Sequence, residues 1–153
     1  MTVLSAQTIR MLCLQSKLVE PFVDRTVHNL HNLSYGLSGA SYDVRIDQDL
    51  LLNKGDFCLA STMEHVNIPL DVMCIVHDKS SLIRRGIAVQ NSLLDPGFKG
   101  HVTLEISHHG PEYFQFHKGM PVAQLVFHKL DHPTEQGYNG KYQNQPRGPQ
   151  ESK

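Results

Sequence analysis

Residue types able to do chemistry concentrate in one stretch, residues 78–106, which reads DKSSLIRRGIAVQNSLLDPGFKGHVTLEI. A polar cluster of Asp78, Lys79, Ser80, Ser81, Arg84 and Arg85 precedes a short apolar run over residues 86–89. A turn signal follows at Asp95-Pro96-Gly97, then an alternating segment, residues 101–106, carrying one carboxylate, Glu105. Arginine presents a planar donor fork to phosphate oxygens, and serine adds a small donor-acceptor at close range. Short hydroxyls and guanidinium groups just ahead of a strand therefore suit a phosphorylated, hydroxyl-bearing ligand. Each residue also has a plain structural reading. The 79–84 cluster can be a solvated loop, Asp95 can initiate a turn, and Glu105 can be a strand glutamate facing water.

The elements that must position these residues are short. Ser5 followed by AQTIRML predicts a capped helix with Ile9, Leu12 and Leu14 on one face. Residues 18–22 read as extended, ending at Pro21, and residues 28–38, rich in Asn, His and Ser, as a loop. Residues 40–46 alternate as a strand, with Gly36 and Gly39 permitting tight backbone before it. Residues 50–52 and 57–60 flank the turn Asn53-Lys54-Gly55-Asp56. Further β segments fall at 68–70 and 72–76, split by Pro69 and Asp71, then at 113–116 and 122–127. Many short strands with Gly, Pro and Asn punctuation predict an all-β sandwich or barrel. From about residue 131 the chain holds almost no aliphatics and could not order itself alone. The expected division is a β body over 1–130 and a tail over 131–153.

Bulk properties narrow the function. A chain of 153 residues is one domain with room for a core. A net charge of -1 provides no field for nucleic acid or anionic lipid, so anion binding must be local. Three scattered cysteines, Cys13, Cys58 and Cys74, suit a reducing compartment. No stretch approaches the roughly 20 apolar residues of a membrane span, and the N-terminus lacks signal-peptide features. A soluble cytoplasmic protein is the expectation. Of the ten histidines, the closest groupings are His28 with His31, His108 with His109, and His128 with His132. None joins a cysteine or carboxylate pattern of the usual kind, so no resident metal is expected.

KSSLIRRG, LLDPGFKG and HVTLE, with ASYDVR around Asp43, resemble the consecutive signatures of the dCTP deaminase family of the dUTPase-like superfamily. The likeness runs from roughly residue 4 to 148. It implies a distorted β-barrel or jelly-roll subunit with a short N-terminal helix and a flexible C-terminal lid. It also implies a homotrimer with active sites between subunits, and Mg2+ arriving on the nucleotide triphosphate. On this resemblance Glu105 is the general base, and Ser80 and Arg84 lie closest to the chemistry. Lys79, Ser80, Ser81, Leu82, Ile83 and Arg84 wrap the triphosphate and pyrimidine edge, while Asp95 accepts the deoxyribose 3′-hydroxyl. Thr103 and Leu104 flank Glu105 at the base, and Gln124 is an inward glutamine near it, with a core-strand role nearly as good. Tyr138, Lys141 and Gln145 belong to the lid that closes over the phosphates.

Hydrolytic deamination at C4 of cytosine needs water deprotonated on attack and the amino group protonated on leaving, which one carboxyl can do in turn. Zinc deaminases carry an H-x-E…P-C-x-x-C signature. This sequence has none, so the zinc-free route is the deaminase route it allows. One segment departs from the family pattern: between Gly86 and Asp95 the chain is two residues shorter than usual, leaving Gln90, Asn91 and Ser92 to meet the base. Asn91 resembles the dUTPase version of this loop. A dUTPase or bifunctional enzyme using Asp95 and Mg2+, and a nucleotide-binding regulator without turnover, therefore stand as alternatives.

Overall fold

A computed structural model describes residues 2–152. The chain opens with β1 (Thr2–Val3), α1 (Ala6–Ser16), β2 (Val19–Glu20), β3 (Thr26–His28), β4 (Ser34–Leu37) and β5 (Tyr42–Arg45). It continues through β6 (Leu50–Leu52), β7 (Phe57–Asn67), β8 (Val72–Asp78), the single turn α2 (Ser80–Ile83) and β9 (Ile87–Val89). It closes with β10 (Leu93–Leu94), β11 (Lys99–His108), β12 (Phe114–Phe116) and β13 (Pro121–Lys129). The expected all-β class is what the chain adopts. One antiparallel sheet runs β10-β8-β13-β5-β4-β3, with β1 also on β13, and a second runs β2-β7-β11-β9. A small β12-β6 ribbon completes the distorted barrel. No helix among the described residues is long and apolar enough to cross a membrane.

Three local expectations change. Helix α1 buries Ile9 and Cys13, one turn apart, while Leu14 is 71% exposed on the far side. The 28–38 segment is a loop only over residues 29–33, and its flanks are the paired strands of the β3–β4 hairpin. Asn29 Oδ1 accepts the His31 and Leu33 amides, and Asn32 takes the left-handed conformation, so polar composition builds the turn while the flanks pair. Residues 68–70 form a turn leading into β8, not a strand.

The two sheets meet where β5 ends. Ile46 bridges Thr62, and the buried Glu64 of β7 accepts Arg45 N at 2.8 Å and Arg45 Nε at 2.7 Å. Thr62 also fills a gap in the β7–β11 ladder. Register shifts between His101 and Thr103, and the Val102 amide left over donates to Thr62 Oγ1 at 2.9 Å. Beyond the bulge, Val102, Leu104 and Ile106 point to the core and Thr103, Glu105 and Ser107 to the opposite face.

The β8–β9 connection is fixed from three sides. Lys79 is buried, its Nζ 2.5 Å from Asp43 Oδ2 on β5, and Ser34 Oγ donates to the same oxygen at 3.2 Å. Asp78 Oδ1 accepts the Val89 amide at 2.6 Å. Buried His108 clamps the far end of the turn, its Nε2 donating to Glu112 O at 2.5 Å and its Nδ1 lying 3.3 Å from Gly86 O. Gly86, at φ +83, passes so close that an added Cβ would lie 2.1 Å from Gly110 N. Between these ties α2 makes its single turn, held down by buried Leu82. Removing one member of a buried ion pair strands the other charge. Lys79→Met should lower unfolding free energy in urea by about 3–5 kcal/mol, and adding Asp43→Leu should recover much of the loss. A Lys79→Met protein of wild-type stability would disprove the role of this pair.

Candidate active site

A cavity of about 570 Å³ opens beside β11, with Glu105 and Thr103 on one wall. Ser92, Leu94 and Asp95 come from the short connection and β10, Phe98 and Val102 from the start of β11, and Tyr138, Tyr142 and Gln145 from the tail. Apolar Phe57 and Leu93, 62% and 54% exposed, form its rim. Volume and lining suit a nucleoside-sized ligand: apolar walls with a few polar groups. Glu105 faces this space because odd-numbered positions after the bulge point away from the core. Ser92 Oγ lies 3.4 Å from its Oε2. Asp95 lines this cavity and a polar one next to it, formed with Pro96, Thr134, Gln136, Gly137, Tyr138 and Asn139.

Among residues expected at the site, Asp95, Thr103, Glu105, Tyr138 and Gln145 converge on one cavity. Residues 79–84 do not line it. Ser80, Ser81, Ile83 and Arg84 are exposed on the α2 turn, and Leu82 is core. Lys79 is not a solvent-facing phosphate ligand here, because its charge is spent on Asp43. Leu104 sits on the core face of β11, so its side chain is behind the cavity wall. Gln124 does not point inward either. It is half-buried in a cross-strand row with Asp43 and His77, while Ala123 and Leu125 fill the core. The sequence reading missed Phe57, Leu59 and Tyr142 as lining residues; alternation alone does not say which sheet face meets a cavity.

The tail is laid down rather than loose. Tyr138 meets the Phe98 ring edge-on at 5.7 Å, and Gln143 bridges Lys99 N, Gly97 O and Tyr138 O. Asn144 N donates to Lys99 O and His101 N to Gln145 O, so the tail extends the β11 edge where β9 stops. Gly100 makes this possible, since an added Cβ would meet Gln145 N at 2.6 Å. Gln145 is buried and donates to His101 O at 3.0 Å and Thr103 Oγ1 at 2.6 Å. It anchors the tail to this chain instead of reaching for phosphate. Lys141 is exposed, its ammonium 5.1 Å from the Tyr142 ring centroid.

Among the described residues no cluster of three or more His, Cys, Asp or Glu is arranged to hold a metal ion.

Known proteins share this pattern. Residues 42–130 match the dCTP deaminase-like family. A "dCTP deaminase" of Orientia tsutsugamushi (strain Ikeda) is 32% identical, covering 93% of this chain and 93% of its own. Another, from Chloroflexus aggregans, is 33% identical over 95% of each chain. Solved structures give the same fold. The dUTPase of Staphylococcus bacteriophage 80alpha, solved with dUpNHpp, superposes with a TM-score of 0.59 at 14% identity, over 80% of this chain and 95% of its own. The dUTPase of phage phi11 of S. aureus, reported with a structural Mg(II) ion, superposes with a TM-score of 0.59 at 15% identity, over 81% and 97%.

The end of the tail is latched electrostatically. Arg147 donates through Nε and Nη2 to Asp47 at 3.1 and 2.8 Å, and Lys118 Nζ lies 3.0 Å from the same carboxylate. Burial pushes Asp47 up, but the hydrogen bonds and charges of Lys118 and Arg147 outweigh it and hold the carboxyl below its usual range. A depressed carboxyl stabilises the fold above its unfolded value. That contribution is lost as pH falls from about 3.9, the ordinary aspartate value, through the depressed one. Asp47→Asn should therefore speed amide exchange over residues 146–152 severalfold at neutral pH, and acid should loosen the same amides in the wild type. Unchanged tail exchange in Asp47→Asn would rule out the latch.

Proposed function

We propose that this chain, which belongs to the dCTP deaminase-like family, hydrolyses dCTP to dUTP and ammonia with Glu105 as general base. The observation that carries the reading is Glu105 itself, a carboxylate on a strand, facing a nucleoside-sized cavity beside Asp95 and Thr103. Water attacks C4 of the cytosine ring while one of its protons passes to Glu105. Glu105 passes that proton to N3, then carries the proton of the new C4 hydroxyl to the departing nitrogen, so the C4–N4 bond breaks, ammonia leaves and a carbonyl remains. Asp95 accepts the 3′-hydroxyl, and Tyr138 and Lys141 close over the phosphates, whose Mg2+ enters as part of the substrate. Free thiols at Cys13, Cys58 and Cys74 suit a cytoplasmic setting.

Ser80, Ser81 and Arg84 lie outside the Glu105 cavity, which supports a homotrimer in which the α2 turn of one subunit completes the cavity of the next. Ser80 and Arg84 of that neighbour orient the water and the amino group. Arginine suits the task because its guanidinium keeps its charge and its donor geometry. Asp95 beside the same cavity favours a second reading, cleavage between the α- and β-phosphates of dUTP, which releases pyrophosphate.

Product analysis separates the readings. Purified protein with dCTP and Mg2+ should release ammonia and accumulate dUTP, with no pyrophosphate from dUTP. Glu105→Gln should lower ammonia release by about a hundredfold or more. Ammonia at the wild-type rate from Glu105→Gln would rule out the mechanism, and pyrophosphate would move the chemistry to Asp95. The assembly has its own test. Glu105→Gln and Arg84→Ala, each inactive alone, should regain part of the activity when their subunits are mixed and reassembled. No recovery from a confirmed mixed trimer would show that each site is built within one subunit.

A further inference from the structure

The shortened connection between β9 and β10 crosses from one sheet to the other beside Glu105. Gln90 N donates to Glu105 O at 2.9 Å, and two residues later Val76 N donates to Ser92 O at 2.9 Å. Leu93 and Leu94 then pair with Ile75 and Cys74. Ser92 is therefore held by the backbone on both sides, one sheet before it and the other after. Its half-buried side chain lines the cavity, with its hydroxyl 3.4 Å from Glu105 Oε2. Long catalytic hydrogen bonds of this kind are common in ligand-free sites and tighten when substrate excludes water.

We propose that Ser92 is a positioning residue for the deamination, selecting which oxygen of Glu105 handles the proton. This rests on the reading of Glu105 as the general base. A strand glutamate in a wide cavity has several rotamers, and its two oxygens are equivalent until something distinguishes them. The Ser92 hydroxyl donates to Oε2 and leaves Oε1 facing the cavity. On attack, a water O–H bond breaks and its proton goes to Oε1, while the oxygen bonds to C4 and the C4–N3 double bond opens onto N3. Oε2 is then the carbonyl oxygen of a neutral acid, and Ser92 continues to donate to it. The carboxyl stays in place while Oε1 passes that proton to N3, takes the proton of the new hydroxyl and gives it to N4, and the C4–N4 bond breaks to leave a carbonyl and ammonia. Ser92 keeps its own proton throughout. A hydroxyl is required because alanine cannot donate.

The test separates positioning from packing and from base recognition. Ser92→Ala should lower kcat for ammonia release from dCTP on the order of tenfold to a hundredfold, with KM held within about twofold. Ser92→Thr, which restores the hydroxyl, should recover most of the rate. Urea unfolding of ligand-free Ser92→Ala, Glu105→Ala and the double variant provides a second readout without turnover. The double variant should lose less than the sum of the singles. A raised KM with unchanged kcat would make Ser92 a base-contacting residue and overturn the proposal. So would failure of threonine to rescue, or strict additivity in unfolding. If the wild type released no ammonia, the deaminase reading would fail and the catalytic role of Ser92 with it. Non-additive unfolding would then leave the Ser92–Glu105 contact standing as a structural one.

Discussion

A buried charge cannot be left unpaired, and the arrangement of this site follows from one such constraint. Lys79 stands at the point where β8 ends and the Ser80–Arg84 turn begins, with its ammonium on Asp43 of β5. Away from water each charge alone would cost several kcal/mol, so neither partner can move without the other. Asp78, the preceding residue, reaches forward to the Val89 amide and ties down the other side of the same turn. Consecutive side chains thus fasten the turn backward to one strand and forward to the next. The exposed Ser80, Ser81 and Arg84 are presented on a rigid base even though α2 is only a single turn.

The second organising feature is β11. Its side chains alternate without a break through the register shift beside Val102, even-numbered residues to the core, which leaves Thr103 and Glu105 on the cavity side. Its edge is shared: β9 pairs with residues 106–108, and the tail pairs near Gly100. An open strand edge is a row of unpaired donors and acceptors, and the tail satisfies part of it. A segment with almost no aliphatic residues is ordered by backbone hydrogen bonds, a Tyr–Phe contact and the Asp47–Arg147 pair rather than by a core of its own. The strap and the cavity are therefore coupled through Thr103, whose hydroxyl accepts both Gln145 Nε2 and Gln150 N.

Local chemistry locates the polar stretch, and the family resemblance marks the site within it. Asp95 and Glu105 are marked by the family resemblance of LLDPGFKG and HVTLE, where the local pattern alone gives a turn initiator and a strand glutamate facing water. Other residues were misassigned because their partners are remote in sequence. Lys79 looked like a solvent-facing cation, and only Asp43, 36 residues away, shows otherwise. Gln145 looked like a phosphate ligand, and its amide is committed to Thr103, 42 residues away. Composition failed at residues 28–38 for a related reason. Asn and His are poor strand formers, but here they occupy the tip of a hairpin in which β3 pairs with β4 and β4 in turn with β5.

Read alone, the sequence determined the periods: a short helix, many strands with turns between them, a polar tail, and the order of the Ser-Ser-x-x-Arg, Asp-Pro-Gly and Thr-Leu-Glu groups. Those are local properties, set by backbone sterics and the alternation of side chains along a strand. The tertiary structure decided the pairings. It put Asp43 under Lys79, Ser92 beside Glu105, Asp47 against Arg147, and the α2 turn outside the cavity that Glu105 lines. Register is a cooperative result of packing the whole barrel, and moving a strand by one residue sends every side chain on it to the opposite face. No short window of sequence contains that information.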